Sequence, residues 1–450
     1  MIKSMVSGPS WKQILIFSLP VLAGSLLQQL YNTVDTIIVG KFSGETSLSA
    51  VGTTASLTFL FLAIAMGFSA GNGVVIAQHH GANNHEQVRK NASTGIIFLL
   101  SLGLISTVAG ILIARPALIY FVKVPQEILE ETLQYFIIYC LGLVFQYGYN
   151  IFSSILRAVG DSAATLYFLL LASVLNIILD LLFVAVFNWG VIGAAVATDI
   201  AQAVSFVAAY IYMKKRYAVF NFKLKEFTFD FKLAKDTVKI GFPIALQLVL
   251  VSFGLTFIQR AVNEFGQTMT ASATVGQRIE MYMNLPASAF QTTMATFAGQ
   301  NIGAGKMNRV KKGAFETIGM SLGFTIIVTV LVWAFTKQII GVFGLSDAAA
   351  VYCTKHLRAI ALVNIMFSFY IPLFGLFQGA NHSQVPTVVA TIALGIRVVV
   401  TYLFRYTSFF GTSIIWWNGL FGFGFAMIVT WIYFLSNRWQ KNSVIDISKK

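Results

Sequence analysis

Residues Leu30–Gly52 read LYNTVDTIIVGKFSGETSLSAVG. The stretch closes the first long apolar segment and places a carboxylate, Asp35, inside it. Hydrocarbon tolerates a carboxylate poorly: a central Asp costs about 2.5–3.5 kcal/mol on insertion scales, so an acid kept at such a position points to function. The rest of the chain decides whether that segment crosses a bilayer.

It does by composition. The 450 residues are 57% hydrophobic and only 11% charged, less than half the charge of an ordinary soluble domain. Apolar runs long enough to span a membrane recur from end to end. Twelve are predicted, near 14–39, 50–77, 92–114, 132–155, 162–187, 190–213, 238–262, 270–298, 313–336, 350–376, 384–407 and 413–436. The expected fold is an all-α polytopic membrane protein of twelve transmembrane helices in two six-helix lobes, related by a pseudo-two-fold along the membrane normal. The first run contains Pro20 and Asp35 and lacks a small-residue cleavage site, so it does not read as a signal peptide.

The formal charge of +14 is explained by topology rather than by nucleic acid. With the N-terminus in the cytoplasm, about two-thirds of the 31 Lys and Arg fall on inside segments, from Lys3 and Lys12 to Lys449 and Lys450. This is the positive-inside pattern. It predicts a multi-pass protein of the cell membrane with both termini cytoplasmic.

The two halves repeat. Leu19-Pro20 matches Phe242-Pro243, AQHHGANNHEQVRK (77–90) matches GQNIGAGKMNRVKK (299–312), and LRAVGDS (156–162) matches FQGANHS (377–383). The predicted organisation is a lobe over 1–213, a basic, aromatic cytoplasmic linker over 214–237, a second lobe over 238–437 and a cytoplasmic tail over 438–450. Parallel repeats of this kind are the architecture of carriers that alternate access to a central site.

Few ionisable side chains fall within spans. In the first half they are Asp35 (span 1), Asp180 (span 5) and Asp199 (span 6), at roughly 7 to 15 Å below the outer surface by helical rise. Asn176 and Asp180 are i,i+4 and share a helix face. Thr198 neighbours Asp199. Carboxylate, amide and hydroxyl oxygens in a poorly hydrated pocket suit two tasks: holding a proton between coupled acids, or ligating a hard cation such as Na⁺. Asp199 is a candidate accessory to that set, with Glu280, Arg278 and Arg397 in the second half, though its position has no physical account from sequence alone.

The second half differs. Asp35 aligns with Ile258, Asn176 with Arg397 and Asp180 with Thr401, so the acid set has no second copy. Span 7 offers only Gln247 and Gln259. Glu280 lies on span 8 among Arg278, Arg358 and Arg397, which predicts an ion-pair network; a sharper expectation is that Glu280 contacts a cationic substrate. Tyr31, Tyr147, Tyr149, Phe152, Phe290 and Tyr370 are among the aromatics that can line a cavity for lipophilic cations.

Other chemistries are not supported. His79, His80, His85 and Glu86 sit in one loop, but the matching loop of the second half has no histidine. The glycine loops lack a Walker Lys-Ser/Thr, and no Ser/His/Asp or Cys/His pairing appears. Cys140 and Cys353 lie in apolar runs and give neither disulfide framework nor metal spacing. No enzyme activity and no cofactor are expected.

The motif LYNxVDTxxVG followed by G…LSAVG resembles the first helix and turn of the multidrug and toxic compound extrusion (MATE) transporters. In that family an Asp on helix 1, an Asn-x-x-x-Asp on helix 5 and a Thr on helix 6 form a cation or proton site. The resemblance implies those roles for Asp35, for Asn176 and Asp180 in NIILDLLF, and for Thr198 in GAAVATD. The family's helix-1 proline, proposed to bend that helix on protonation, corresponds to Pro20. The expected function is therefore secondary antiport. Amphipathic, often cationic, organic compounds would leave in exchange for H⁺ or Na⁺, through a protein working as a monomer in the lipid bilayer. A lipid-linked saccharide flippase on a related scaffold is the alternative, allowed by Arg278, Arg358 and Arg397 and opposed by the acid set.

Overall fold

The computed structural model describes residues 4–441. Lys3, Lys449 and Lys450, used in the charge count, and the tail beyond 441 lie outside the described residues. Within them the chain is all helix, with no strand. Eleven of the spans are α1 (Ser10–Gly44), α2 (Thr46–Gly81), α3 (His85–Val122), the bent α4 (Gln126–Leu141 and Leu143–Ala158), α5 (Ser162–Val186), α6 (Gly190–Arg216), α7 (Phe231–Asn263), α9 (Met307–Ala334), α10 (Asp347–Gly379), α11 (Gln384–Phe404) and α12 (Gly411–Leu435). The twelfth, α8 (Gln267–Gly303), is 37 residues long. Its Gln, Thr and Asn content dilutes its hydropathy, so composition alone singles out only ten single helices, or eleven with the bent pair.

The turns between helices show why the halves match. A helix ends most readily where one residue takes a left-handed conformation. Such residues come in pairs about 221 positions apart: Gly44 and Gly266 (both φ 85°), Asn83 and Gly305, Lys123 and Gly344, Gly160 and Asn381, Gly190 and Gly411. At Gly44 and Gly266 the extended ψ near 180° puts the backbone in a region open only to glycine. These two residues separate α1 from α2 and α7 from α8. α1 runs through Pro20, and its break comes at Gly44.

The chain forms two compact units, Ala23–Leu246 and Met5–Leu22 with Gln247 onward. In the first, Phe136, Leu143, Tyr147, Ile151 and Ile155 build the core. α2 and α4 approach closely because Gly73 leaves room for Ser154, whose hydroxyl donates to the Ser69 carbonyl at 2.6 Å. Small residues with a hydroxyl crossing to the neighbouring backbone are how helices associate in lipid. The linker packs onto α3 rather than trailing free. Phe220 and Phe222 are buried, and Arg89 donates to the carbonyls of Val219 and Asn221 and to Glu226 at 2.8 Å. The Lys223 backbone N–H, with Arg89 beside it, holds the Glu226 carboxyl below the usual range.

In the second unit, Met5, Ile14 and Phe17 from the start of the chain share a core with Phe290, Met294, Phe297 and Phe377. Arg309 fixes that segment by donating to the Gly8 carbonyl at 2.7 Å and to Gln13 at 3.1 Å. Gly375 and Gly379 on α10 lie against the backbone carbonyls of Gln291 and Ala295 on α8, so any side chain there would separate the two helices.

Candidate ion-coupling site

α1 and α5 bring Asp35 and Asp180 face to face in the first unit. Their carboxyls lie within hydrogen-bonding reach of each other. Asp180 and Asn176 are buried, at 0% and 1% exposure; Asp35 is half-buried. Asp180 is the last α-helical residue before α5 widens into a π-turn over Leu181–Val186, a distortion often found at functional positions. Asn176, one turn earlier, donates its amide to the Thr198 hydroxyl on α6 at 3.3 Å. The four residues singled out in the sequence are thus joined as Asp35 to Asp180 and Asn176 to Thr198, on three helices of one unit.

What these groups lack defines their chemistry. Asp35 Oδ1, both Asp180 oxygens and Asn176 Oδ1 are buried and accept from no protein donor. No Lys or Arg forms an ion pair with either acid among the described residues. Leaving such oxygens unpaired in a low-dielectric interior is costly. Two facing carboxyls are satisfied when one carries a proton and donates it to the other, or when a hard cation takes the place of that proton.

Two tyrosines stand near the pair, and a third, Tyr139, stands near Tyr31. Tyr31, one turn before Asp35, feels both carboxylates, and Tyr135 on α4 feels Asp35. Tyr139 donates to Gln146 at 3.2 Å. Sequence reasoning reached Tyr31 but not Tyr135, Tyr139 or Gln146. The last two bracket a bend invisible in the apolar pattern. Other aromatics taken as cavity candidates are core: Tyr147, Phe152 and Phe290 are buried, and Tyr147 donates to the Phe61 carbonyl at 3.0 Å.

Asp199 now has a structural account. α4 breaks by 44° between Leu141 and Leu143, and the Asp199 carboxylate packs against Gly142 at the break, whose backbone N–H donates to the Ile138 carbonyl at 3.3 Å. The fit is tight: a Cβ on Gly142 would overlap the Asp199 carboxylate. Thr198 faces Asn176 while its neighbour Asp199 secures the bend of α4.

In the second unit the expected network of three arginines around Glu280 does not form. Arg278 is exposed, Arg358 is exposed, and no ion pair to Glu280 exists among the described residues. The reason is reach: Arg278 is only two positions from Glu280 on α8, so it points to a different face. Arg397 alone lies near enough to act on Glu280, which bonds Asn284. Arg397 donates to Asn418 at 2.7 Å and stands over the Phe423 ring at 4.9 Å. His79 and His80 are buried, and with His85 and Glu86 they form no metal-holding group among the described residues.

Comparison with known proteins identifies the family. The MatE family model matches residues 20–182 and again 243–403, once in each half. The probable multidrug resistance protein YpnP of Bacillus subtilis is 26% identical over 447 residues, covering 96% of both chains. The multidrug export protein MepA of Staphylococcus aureus is 24% identical over 417 residues, covering 91% of this chain and 90% of its own. Among solved structures, a MOP superfamily transporter from Pyrococcus furiosus, described as having a binding pocket of reverse polarity, superposes with a TM-score of 0.91. It is 24% identical and covers 98% of each chain. The double match spans most of the sequence, and the chain belongs to the MatE family, the multidrug and toxic compound extrusion transporters.

Proposed function

We propose that this protein is a secondary active multidrug efflux antiporter. It exports amphipathic or cationic organic compounds in exchange for H⁺ or Na⁺ by alternating access, with Asp35 and Asp180 as the coupling acids and Asn176 and Thr198 as their oxygen partners. The observation that carries this reading is the facing pair Asp35 and Asp180, with buried oxygens that no protein donor satisfies. The names of the relatives YpnP and MepA support the substrate class.

The coupling logic is one of differential affinity. A proton or Na⁺ on the acid pair shifts the balance between outward- and inward-open states only to the extent that it binds one of them more tightly. The shared-carboxyl arrangement supplies that difference when one state brings the two acids together and the other separates them. The protein works as a monomer in the cell membrane with both termini in the cytoplasm. A lipid-linked saccharide flippase is not favoured, since the family and the acid set both point to efflux.

The test uses proteoliposomes loaded with an organic-cation dye, with pH and Na⁺ gradients imposed separately. One gradient should drive dye movement in the wild type and leave Asp35→Asn unresponsive. Undiminished gradient-driven transport by a folded Asp35→Asn protein would refute the assignment.

A further inference from the structure

One cavity lies far from the acid pair in sequence and is unused by the mechanism above. It has a volume of about 650 Å³ and sits wholly in the second unit, at the ends of α9, α10 and α12. Trp333 is one residue from the end of α9. Tyr352, Lys355 and Arg358 occupy the first turns of α10. Trp416 and Trp417 occupy the start of α12. Trp333, Tyr352, Trp416 and Trp417 lie within about five residues of their span ends, and Lys355 and Arg358 lie about one and two turns deeper along α10.

The chemistry of the lining is specific. Lys355 and Arg358 are one turn apart on the same face of α10, exposed, and neither has a carboxylate partner among the described residues. The indoles form rigid walls. Trp416 stacks on His356 with ring centres 6.0 Å apart, and Trp333 donates its N–H to the Arg358 carbonyl at 3.2 Å. Helix packing does not demand this set. At the 221-residue repeat offset the first unit has Leu112, Glu131, Gln134, Ile137, Ala195 and Val196, with neither cation nor aromatic ring.

We propose that this cavity binds the phosphodiester headgroup of an acidic phospholipid. Lys355 and Arg358 hold the phosphate, and the indoles receive the glycerol backbone and upper acyl chain. Aromatic rings and snorkelling cations both favour this depth. Two cations without carboxylate partners complement a phosphodiester, and the guanidinium can bind it with two parallel hydrogen bonds. A cavity of this volume matches one headgroup and the first part of its chains. A free phosphate would use the cations but leave the indole walls unoccupied, so the lipid is the occupant that fits both.

The test is native mass spectrometry of the purified full chain, titrated in parallel with short-chain phosphatidylglycerol, short-chain phosphatidylcholine and inorganic phosphate. Phosphatidylglycerol should bind at one saturable site, more tightly than phosphatidylcholine. Each cation near an anionic lipid contributes a factor of about five, so the double variant Lys355→Gln/Arg358→Gln should bind roughly 25-fold more weakly. Arg358→Gln alone, should the double variant not fold, should lose about fivefold with an unchanged melting temperature. Brominated phosphatidylglycerol chains should quench tryptophan fluorescence in the wild type, and less so in Trp333→Phe. Equal binding of the two lipids, wild-type affinity in the charge variants, or inorganic phosphate binding as tightly as the lipid would each overturn the proposal.

Discussion

The two units carry the same joint with opposite chemistry. In the first, Asn176 on α5 reaches Thr198 on α6, and the buried acid Asp180 lies one turn on. In the second, the equivalent link from α11 to α12 is Arg397 to Asn418, and the residue one turn on is Thr401, whose hydroxyl bonds back to its own helix at 2.7 Å. Asp35 has Ile258 as its counterpart, buried in apolar surroundings. The bend differs as well. Gly142 and Asp199 become Val363 and Leu420, and α10 runs unbroken past Val363. A duplicated scaffold thus presents acids and a broken helix in one unit, and a fixed cation and an unbroken helix in the other. A cation is attracted to the first site and repelled from the second, so the proposed ion coupling is assigned to the first unit only.

The largest effect should come from removing either acid. Asp180→Asn, like Asp35→Asn, should reduce gradient-driven transport to background while the protein elutes and melts as a folded species. If Asp180→Asn still transports under a gradient, the contrast between the units has lost its meaning. Next in size is Gly142→Ala. Its new methyl meets the Asp199 carboxylate, and overpacking of this kind costs about 1–3 kcal/mol. A thermal-shift series should show that loss, and Asp199→Ala in the same chain should recover part of it. A Gly142→Ala protein as stable as wild type would mean the bend does not depend on that contact.

Arg397→Gln tests the other unit. Asn418 loses a charged donor and Glu280 its nearest cation, a destabilisation of about 1–3 kcal/mol, with the response to the ion gradient unchanged. Loss of ion coupling in a folded Arg397→Gln protein would break the one-sided account. The smallest effect is expected for Thr198→Ala. A single interhelical hydrogen bond in a membrane protein is worth about 0.6 kcal/mol, so the apparent affinity for the coupling ion should weaken about threefold. Transport measured against ion concentration would show it, and no change would place Thr198 outside the ion site.

Most of the fold was legible in the sequence because bilayer thickness sets helix length and because Gly and Asn mark the turns. The candidates Asp35 and Asp180 were legible as well, since acids in apolar runs are conspicuous and the i,i+4 spacing of Asn176 and Asp180 puts those two on one face, while the joining of Asp35 to them was implied by the family resemblance. The bend at Gly142 was not. One glycine in an apolar helix is a weak signal, and the partner that secures it, Asp199, is 57 positions away. The placement of Met5, Ile14 and Phe17 beside Phe297 and Phe377 likewise depends on contacts across nearly the whole chain. Glu280 was misread for a related reason: proximity in depth was visible, but helix rotation, which turns Arg278 away and Arg397 toward it, was not.

The claim most open to direct measurement is that Asp35 and Asp180 share the coupling proton or cation. Difference infrared spectroscopy on protein in lipid bilayers reads protonated carboxyl groups. Addition of substrate, or of Na⁺ where Na⁺ is the coupling ion, should remove a protonated-carboxyl band that is absent from Asp180→Asn and unaltered in Glu280→Gln. The same band persisting in Asp180→Asn, or disappearing in Glu280→Gln, would place the coupling proton elsewhere and contradict the account.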